Sequence, residues 1–137
     1  MHYLFHLLMR CIARAYIRRY APIIIAVTGN VGKTTTKEAI AAVLSPHYSV
    51  RATGGNLNNE LGVPLTIIGE YSDDYYRRGG TLSFWLRVIG TGIRGLFSTH
   101  EYPEVLILEY GADRPGDIRR LVASYPPRIA VITHVGE

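Results

Sequence analysis

The stretch Ile23-Ile24-Ile25-Ala26-Val27-Thr28-Gly29-Asn30-Val31-Gly32-Lys33-Thr34-Thr35-Thr36 constrains this chain more than any other. A run of β-branched residues stops at a glycine turn, and a Lys-Thr pair then opens a helical pattern. Such a strand, turn and helix gathers backbone N–H groups and the free amides of a helix start at one point, which suits phosphate oxygens. In the general pattern G-x-x-x-x-G-K-[ST], the lysine reaches the outer phosphates and the hydroxyl sits on a magnesium ion. Val27 stands where that pattern wants its first glycine, leaving a shorter T-G-x-x-G-K-T-T loop. The candidate phosphate contacts are Thr28, Gly29, Asn30, Val31, Gly32, Lys33, Thr34 and Thr35. On this stretch alone, an ordinary glycine turn capping a helix also fits.

With 137 residues the chain is sized for one domain. Its net charge of +4 favours anionic partners without arguing for nucleic acid, and we expect none. The single cysteine, Cys11, excludes an intrachain disulfide and a cysteine-based zinc site, which suits a reducing compartment and a cytoplasmic location.

Residues 1–20 read as a basic amphipathic helix ahead of a domain over 21–137. Arg10, Arg14 and Arg18 recur at four-residue spacing, with Leu4, Leu7, Leu8, Cys11, Ile12 and Ala15 on the other side. The apolar run from Tyr3 to Met9 is too short to span a bilayer and lacks the flanks of a signal peptide. Two placements fit: packing on the domain with solvated arginines, or peripheral contact with an anionic membrane.

The helix from Lys33 ends near Leu44 at Ser45-Pro46, with Ala39, Ile40, Val43 and Leu44 as its apolar residues and Lys37-Glu38 facing out. A short strand is expected between Tyr48 and Thr53. The block Gly55-Asn56-Leu57-Asn58-Asn59 forms no regular element, and Pro64 suits the first turn of a helix running to Ile67 or Ile68. Residues 69–80 read as a polar, tyrosine-rich surface loop. A second amphipathic segment runs from Leu82 to Phe97, where Gly90, Gly92 and Gly95 imply close helix packing or a mobile element.

Two more buried strands are expected, Glu104 to Leu108 and Arg128 to Thr133, with a helix starting near Pro115 and Asp117 between them. The alternation is that of an α/β fold, a mostly parallel phosphate-loop sheet with helices on both faces. In such sheets strand ends gather at one edge, where ligands bind. Glu109 would then stand near the loop as a hard oxygen donor for magnesium, although a structural ion pair also fits.

The segments T-G-N-V-G-K-T-T-T-K, G-N-L-N-N-E-L-G-V-P-L-T, L-E-Y-G-A-D-R-P-G-D-I and V-I-T-H-V-G-E together resemble the ATP-binding central domain of Mur ligases. That family uses the shorter loop, so Val27 supports the likeness. The resemblance implies an ATP-dependent carboxylate–amine ligase of peptidoglycan precursor synthesis, working through an acyl phosphate, with ATP and Mg2+ as cofactors. It implies Lys33 and Glu109 as catalytic residues, Thr34 and Glu109 as metal ligands, and Asn56, Asn58 and Asn59 near the acceptor substrate. The asparagine block most resembles the member that joins D-alanyl-D-alanine to a UDP-muramoyl peptide, which would make those two the small-molecule substrates.

Two departures matter. His134 stands where the family usually has Asn, and no uridine-binding domain precedes the loop. Because the chain stops at Thr133-His134-Val135-Gly136-Glu137, immediately after a strand-like run, we expect an N-terminal piece of a longer protein or a truncated reading frame, its central domain incomplete at the C-terminus and inactive alone. A Mur-like ligase with a poly-glutamate, cyanophycin or folate type of acceptor remains open, as does a non-catalytic membrane-associated nucleotide-binding module.

Overall fold

Strands β1 (Ile23–Thr28), β2 (Val50–Ala52), β3 (Val105–Glu109) and β4 (Ile129–Ile132) pair in parallel in the order β2-β3-β1-β4. The computed structural model describes residues 2–136, so Met1 and Glu137, the outer ends of the two expected ranges, lie outside the described residues. Side chains alternate between the sheet faces with the two-residue period of a strand. Ile25, Val27, Val105 and Ile107 meet Ile40, Ala41 and Leu44 of helix α2 (Lys33–Leu44). Ile24, Ala26, Leu106 and Leu108 join the larger core on the opposite face.

That second face is covered by α1 (His2–Tyr20), α3 (Gly62–Ile68), α5 (Leu82–Gly95) and α6 (Asp117–Ser124). The first helix packs on the domain, but through a rotated face. Met9, Ile12, Ala13 and Tyr16 are buried, whereas Leu4, Leu8 and Cys11 are exposed. The tyrosines set this rotation. The Tyr16 hydroxyl donates to the Gly92 carbonyl at 3.0 Å and the Tyr20 hydroxyl to that of Gly95 at 2.9 Å. Gly92 and Gly95 are therefore close-packing positions, since a Cβ at either would press on Ile12 or Tyr16, while Gly90 faces open space.

Residues 69–80 depart from the expected loop, because Ser72–Arg78 forms helix α4. Asp73 and Asp74 in its first turn and Arg77 and Arg78 in its last oppose the helix dipole. Arg78 pairs with Asp74 at 3.3 Å, and Arg87 of α5 pairs with the same carboxylate. The charge pattern that suggested a solvated loop thus stabilises a short surface helix.

Strand β4 also departs from expectation. Among the described residues it pairs only with β1, at the edge of the sheet, and Ile129 and Ile132 are exposed rather than buried.

The order of strands fixes where a site can form. From β1 the chain crosses through α2 to β2, and from its neighbour β3 it crosses through α6 to β4 on the other side. The loops after β1 and β3 therefore diverge and leave a crevice at the carboxyl edge, the usual ligand position in such sheets.

Candidate functional site

The register between β1 and β3 sets Val27 opposite Glu109, so the carboxylate emerges level with the first residues of the glycine loop. The loop itself is held from three sides. Gly29 has φ +139° and Gly32 has φ +87°, conformations that disfavour any side chain. A methyl group at Gly29 would overlap the Thr133 hydroxyl. Thr133 at the end of β4 buttresses the turn, its Oγ1 lying 3.1 Å from the Thr28 carbonyl and 2.8 Å from that of Val31. The Asn30 N–H donates to the His134 carbonyl at 2.7 Å. His134 thus serves the loop through its backbone, and Thr133 is a positioning residue.

Gly32 precedes α2 without any side-chain cap, leaving the first amides of that helix free for an anion. Lys33 folds back over the loop and donates to the Gly29 carbonyl at 2.7 Å, and a phosphate oxygen could compete for that proton. The Thr34 hydroxyl donates to Glu109 Oε2 at 3.3 Å. Thr35 is exposed, and the side chain of Val31 projects outward at 67% exposure, so these two could contribute through the backbone alone.

Glu109 is 2% exposed and tied on every side. Asn58 Nδ2 donates to its Oε1 at 3.1 Å, and its backbone N–H donates to the Thr53 hydroxyl at 3.0 Å. Lys37 Nζ stands 3.5 Å from its Oε2, with the lysine side chain only 4% exposed. This corrects the expectation that Lys37 faces out. Thr34, Lys37, Ile40, Ala41 and Leu44 recur at helical spacing, so Lys37 falls in the row that meets the sheet. That spacing was the signal that could have identified it.

The three asparagines separate. Asn58 alone reaches Glu109, and its carbonyl accepts from the Gly111 N–H at 2.8 Å. Gly111 is required there, because a side chain would occupy the space of the Asn58 amide. Asn59 turns away and accepts from the N–H groups of Leu61 and Gly62 at 3.1 and 2.9 Å, starting α3. Asn56 is exposed, and its N–H donates to the Tyr76 hydroxyl of α4 at 2.7 Å. A cavity of about 370 Å³ opens beside this loop, lined by Asn58, Asn59, Gly111, Asp113 and Arg114 among others. Its far wall is braced by Asp117, whose carboxyl is held below the usual range by N–H groups of Arg114 and Asp113.

Among the described residues no cluster of three or more His, Cys, Asp or Glu could cage a metal. One carboxylate and one hydroxyl beside free helix amides suit a magnesium ion that keeps waters and takes phosphate oxygens, rather than zinc. Thr34 and Glu109 are the residues present that could hold it.

Residues 27–74 match the Mur ligase middle domain. The UDP-N-acetylmuramoyl-tripeptide–D-alanyl-D-alanine ligase of Bacillus subtilis is 35% identical over 126 residues, covering 92% of this chain and 21% of that protein. The Synechocystis ligase of the same name is 55% identical over 64 residues, 47% of this chain and 14% of the relative. Among solved structures, MurF ligase from Thermotoga maritima in complex with ADP superposes with a TM-score of 0.67 at 32% identity, over 93% of this chain and 23% of that one. The chain thus spans about a fifth of the length of the relatives it matches.

Proposed function

From a chain whose residues 27–74 match the Mur ligase middle domain and whose fold superposes on a MurF ligase, we propose the nucleotide-binding, carboxylate-activating part of an ATP-dependent carboxylate–amine ligase. Residues 21–137 would form the N-terminal part of the central ATP-binding domain, with residues 1–20 as the helix ahead of it. The reaction would belong to peptidoglycan precursor synthesis in the cytoplasm, joining D-alanyl-D-alanine to a UDP-N-acetylmuramoyl tripeptide.

In the first step a carboxylate oxygen attacks the γ-phosphorus of ATP, giving an acyl phosphate while ADP leaves. In the second the amine attacks the acyl carbon, loses a proton, and phosphate leaves. Charge builds on phosphoryl oxygens and then on a tetrahedral carbon's oxygen, so fixed cations and amides lower both barriers. Backbone amides from Gly29 to Gly32 and the start of α2 would cradle the phosphates, and Lys33 would turn from the Gly29 carbonyl to the outer phosphates. Thr34 and Glu109 would hold the magnesium ion, which neutralises phosphate charge when bound. Asn58 and Lys37 would keep the Glu109 carboxylate aimed. The 370 Å³ cavity beside Asn58 would admit the substrate carboxylate.

The single observation carrying this reading is the contact of Thr34, in the first turn of α2, with Glu109, at the end of β3, 3.3 Å apart at the mouth of the loop. The test is ADP release by the complete polypeptide. Release that needs both UDP-muramoyl tripeptide and D-alanyl-D-alanine supports the proposal. Release driven instead by a glutamyl or folate acceptor would reassign the substrate, and none with any carboxylate would refute the ligase.

A further inference from the structure

The two outer helices carry a surface that the nucleotide site does not use. Helices α1 and α5 lie side by side and run in the same direction. Phe5 stacks edge-on against Trp85 with ring centroids 4.8 Å apart, and further along Tyr16 and Tyr20 bond the carbonyls of Gly92 and Gly95. On each helix the row meeting the other is flanked by core residues on one side. On the other, outward side the flanking row is apolar and exposed. Leu4 and Leu8 are 71% and 40% exposed, Leu82, Leu86 and Ile93 76%, 61% and 44%, and Phe97, in the turn just past α5, 84%. Both outward rows border the same seam, so they make one continuous surface. Isolated exposed leucines are ordinary, but a patch of this kind marks an interaction site.

Charge identifies the occupant. The two helices hold Arg10, Arg14, Arg18, Arg19, Arg87 and Arg94, six of the chain's 15 Lys and Arg, and none of its 11 Asp and Glu. The remaining nine basic residues are outnumbered by those eleven acidic ones, so the whole positive excess sits on these two helices, with Arg10 and Arg14 turned toward a cavity they share with Glu60 and Arg120. All six arginines are exposed, and only Arg87 has a carboxylate partner among the described residues, Asp74 of α4. A second copy of the chain would set six guanidiniums against six with no carboxylate between them, and a nucleic acid would leave the leucine rows uncovered. An anionic bilayer satisfies both features at once, taking leucines into the acyl boundary and phosphates onto the arginines. No helix among the described residues is long and apolar enough to cross a membrane, so the contact would be in-plane.

We propose that the paired outer faces of α1 and α5 form a docking surface for anionic lipid, independent of the nucleotide site. The chain is sedimented with phosphatidylcholine vesicles with and without phosphatidylglycerol, at low and high salt. The expected result is binding on the order of tenfold or more stronger to the anionic vesicles, weakened by salt. Two variants separate the contributions. Leu86→Asp with Phe97→Asp removes insertion, and Arg18→Gln with Arg94→Gln weakens headgroup attraction. Each should lower vesicle binding while leaving nucleotide affinity and the circular dichroism spectrum unchanged. Equal sedimentation of wild type and both variants would overturn the proposal. So would failure of the chain to bind anionic vesicles, or a stable dimer in solution that both variants dissociate.

Discussion

Lys37 Nζ and Glu109 Oε2 stand 3.5 Å apart with both side chains almost wholly excluded from water, an ion pair joining the first turns of α2 to the end of β3. Neither charge would be stable there alone. Together they fix the helix that carries the glycine loop against the strand that carries the acidic donor, which couples fold and site in one contact. Breaking such a pair by removing one partner costs about 3–5 kcal/mol, mostly as the penalty of the charge left behind. Lys37→Met should therefore destabilise the chain strongly. Combining it with Glu109→Gln should recover part of the loss, measured as coupling in a urea-denaturation cycle. Additive losses would show that the pair is not coupled.

Lys33 presents the opposite case. Among the described residues it bonds only the carbonyls of its own loop, at Gly29 and more weakly Asn30. Lys33→Ala should change stability by no more than about 0.5 kcal/mol, as for substitutions away from the core. Nucleotide binding should be lost. A thermal melt beside a fluorescent-nucleotide titration reads both, and unchanged affinity would refute the loop assignment.

The turn depends on the fit between Gly29 and Thr133. Gly29→Ala would push a methyl group against the threonine hydroxyl at a φ of +139°. Strained backbone of this kind costs about 1–3 kcal/mol. Thr133→Val removes the hydroxyl that reaches the Thr28 and Val31 carbonyls, a loss of about 1 kcal/mol for a net hydrogen bond. Both should weaken nucleotide binding in calorimetric titration although neither side chain would touch the nucleotide.

Buried phenols give the chain an alkaline limit. Burial pushes the Tyr16 phenol from 10.0 up to about 12. Burial also raises Tyr102, Tyr110 and Tyr125 well above the ordinary value. A raised folded-state pKa means that the folded chain holds these protons more tightly. The stabilisation is therefore complete below pH 10 and is lost as pH rises toward and beyond 12. Equilibrium unfolding should show stability independent of tyrosine ionisation through pH 9 and falling steeply above about 10. Tyr16→Phe should lose the Gly92 bond yet reduce part of that alkaline slope.

Much of the sheet was legible because β1 and β3 are continuous apolar runs ending in polar residues, and the glycine loop announces the helix after it. Glu109 was legible because a carboxylate closing a buried strand is unusual. Other features depended on tertiary context. Lys37 looked solvated because a lysine normally is, and only the sheet-facing row with Ile40 and Ala41 reveals otherwise. Helix α4 looked like a loop because its stability comes from charges paired along and across helices, which composition does not display. The role of Asn58 as against Asn56 and Asn59 rests on backbone geometry around Gly111. The exposed face of β4 could not be read from Ile129 to Ile132, because burial at a sheet edge depends on what lies beside it.

The central claim is that Lys33, Thr34 and Glu109 form one magnesium–nucleotide site, and ATP titration of the chain with and without Mg2+ tests it most directly. The account predicts affinity that rises sharply with Mg2+, loses that dependence in Glu109→Gln, and disappears in Lys33→Ala. ATP affinity indifferent to Mg2+ and unchanged in both variants would contradict it.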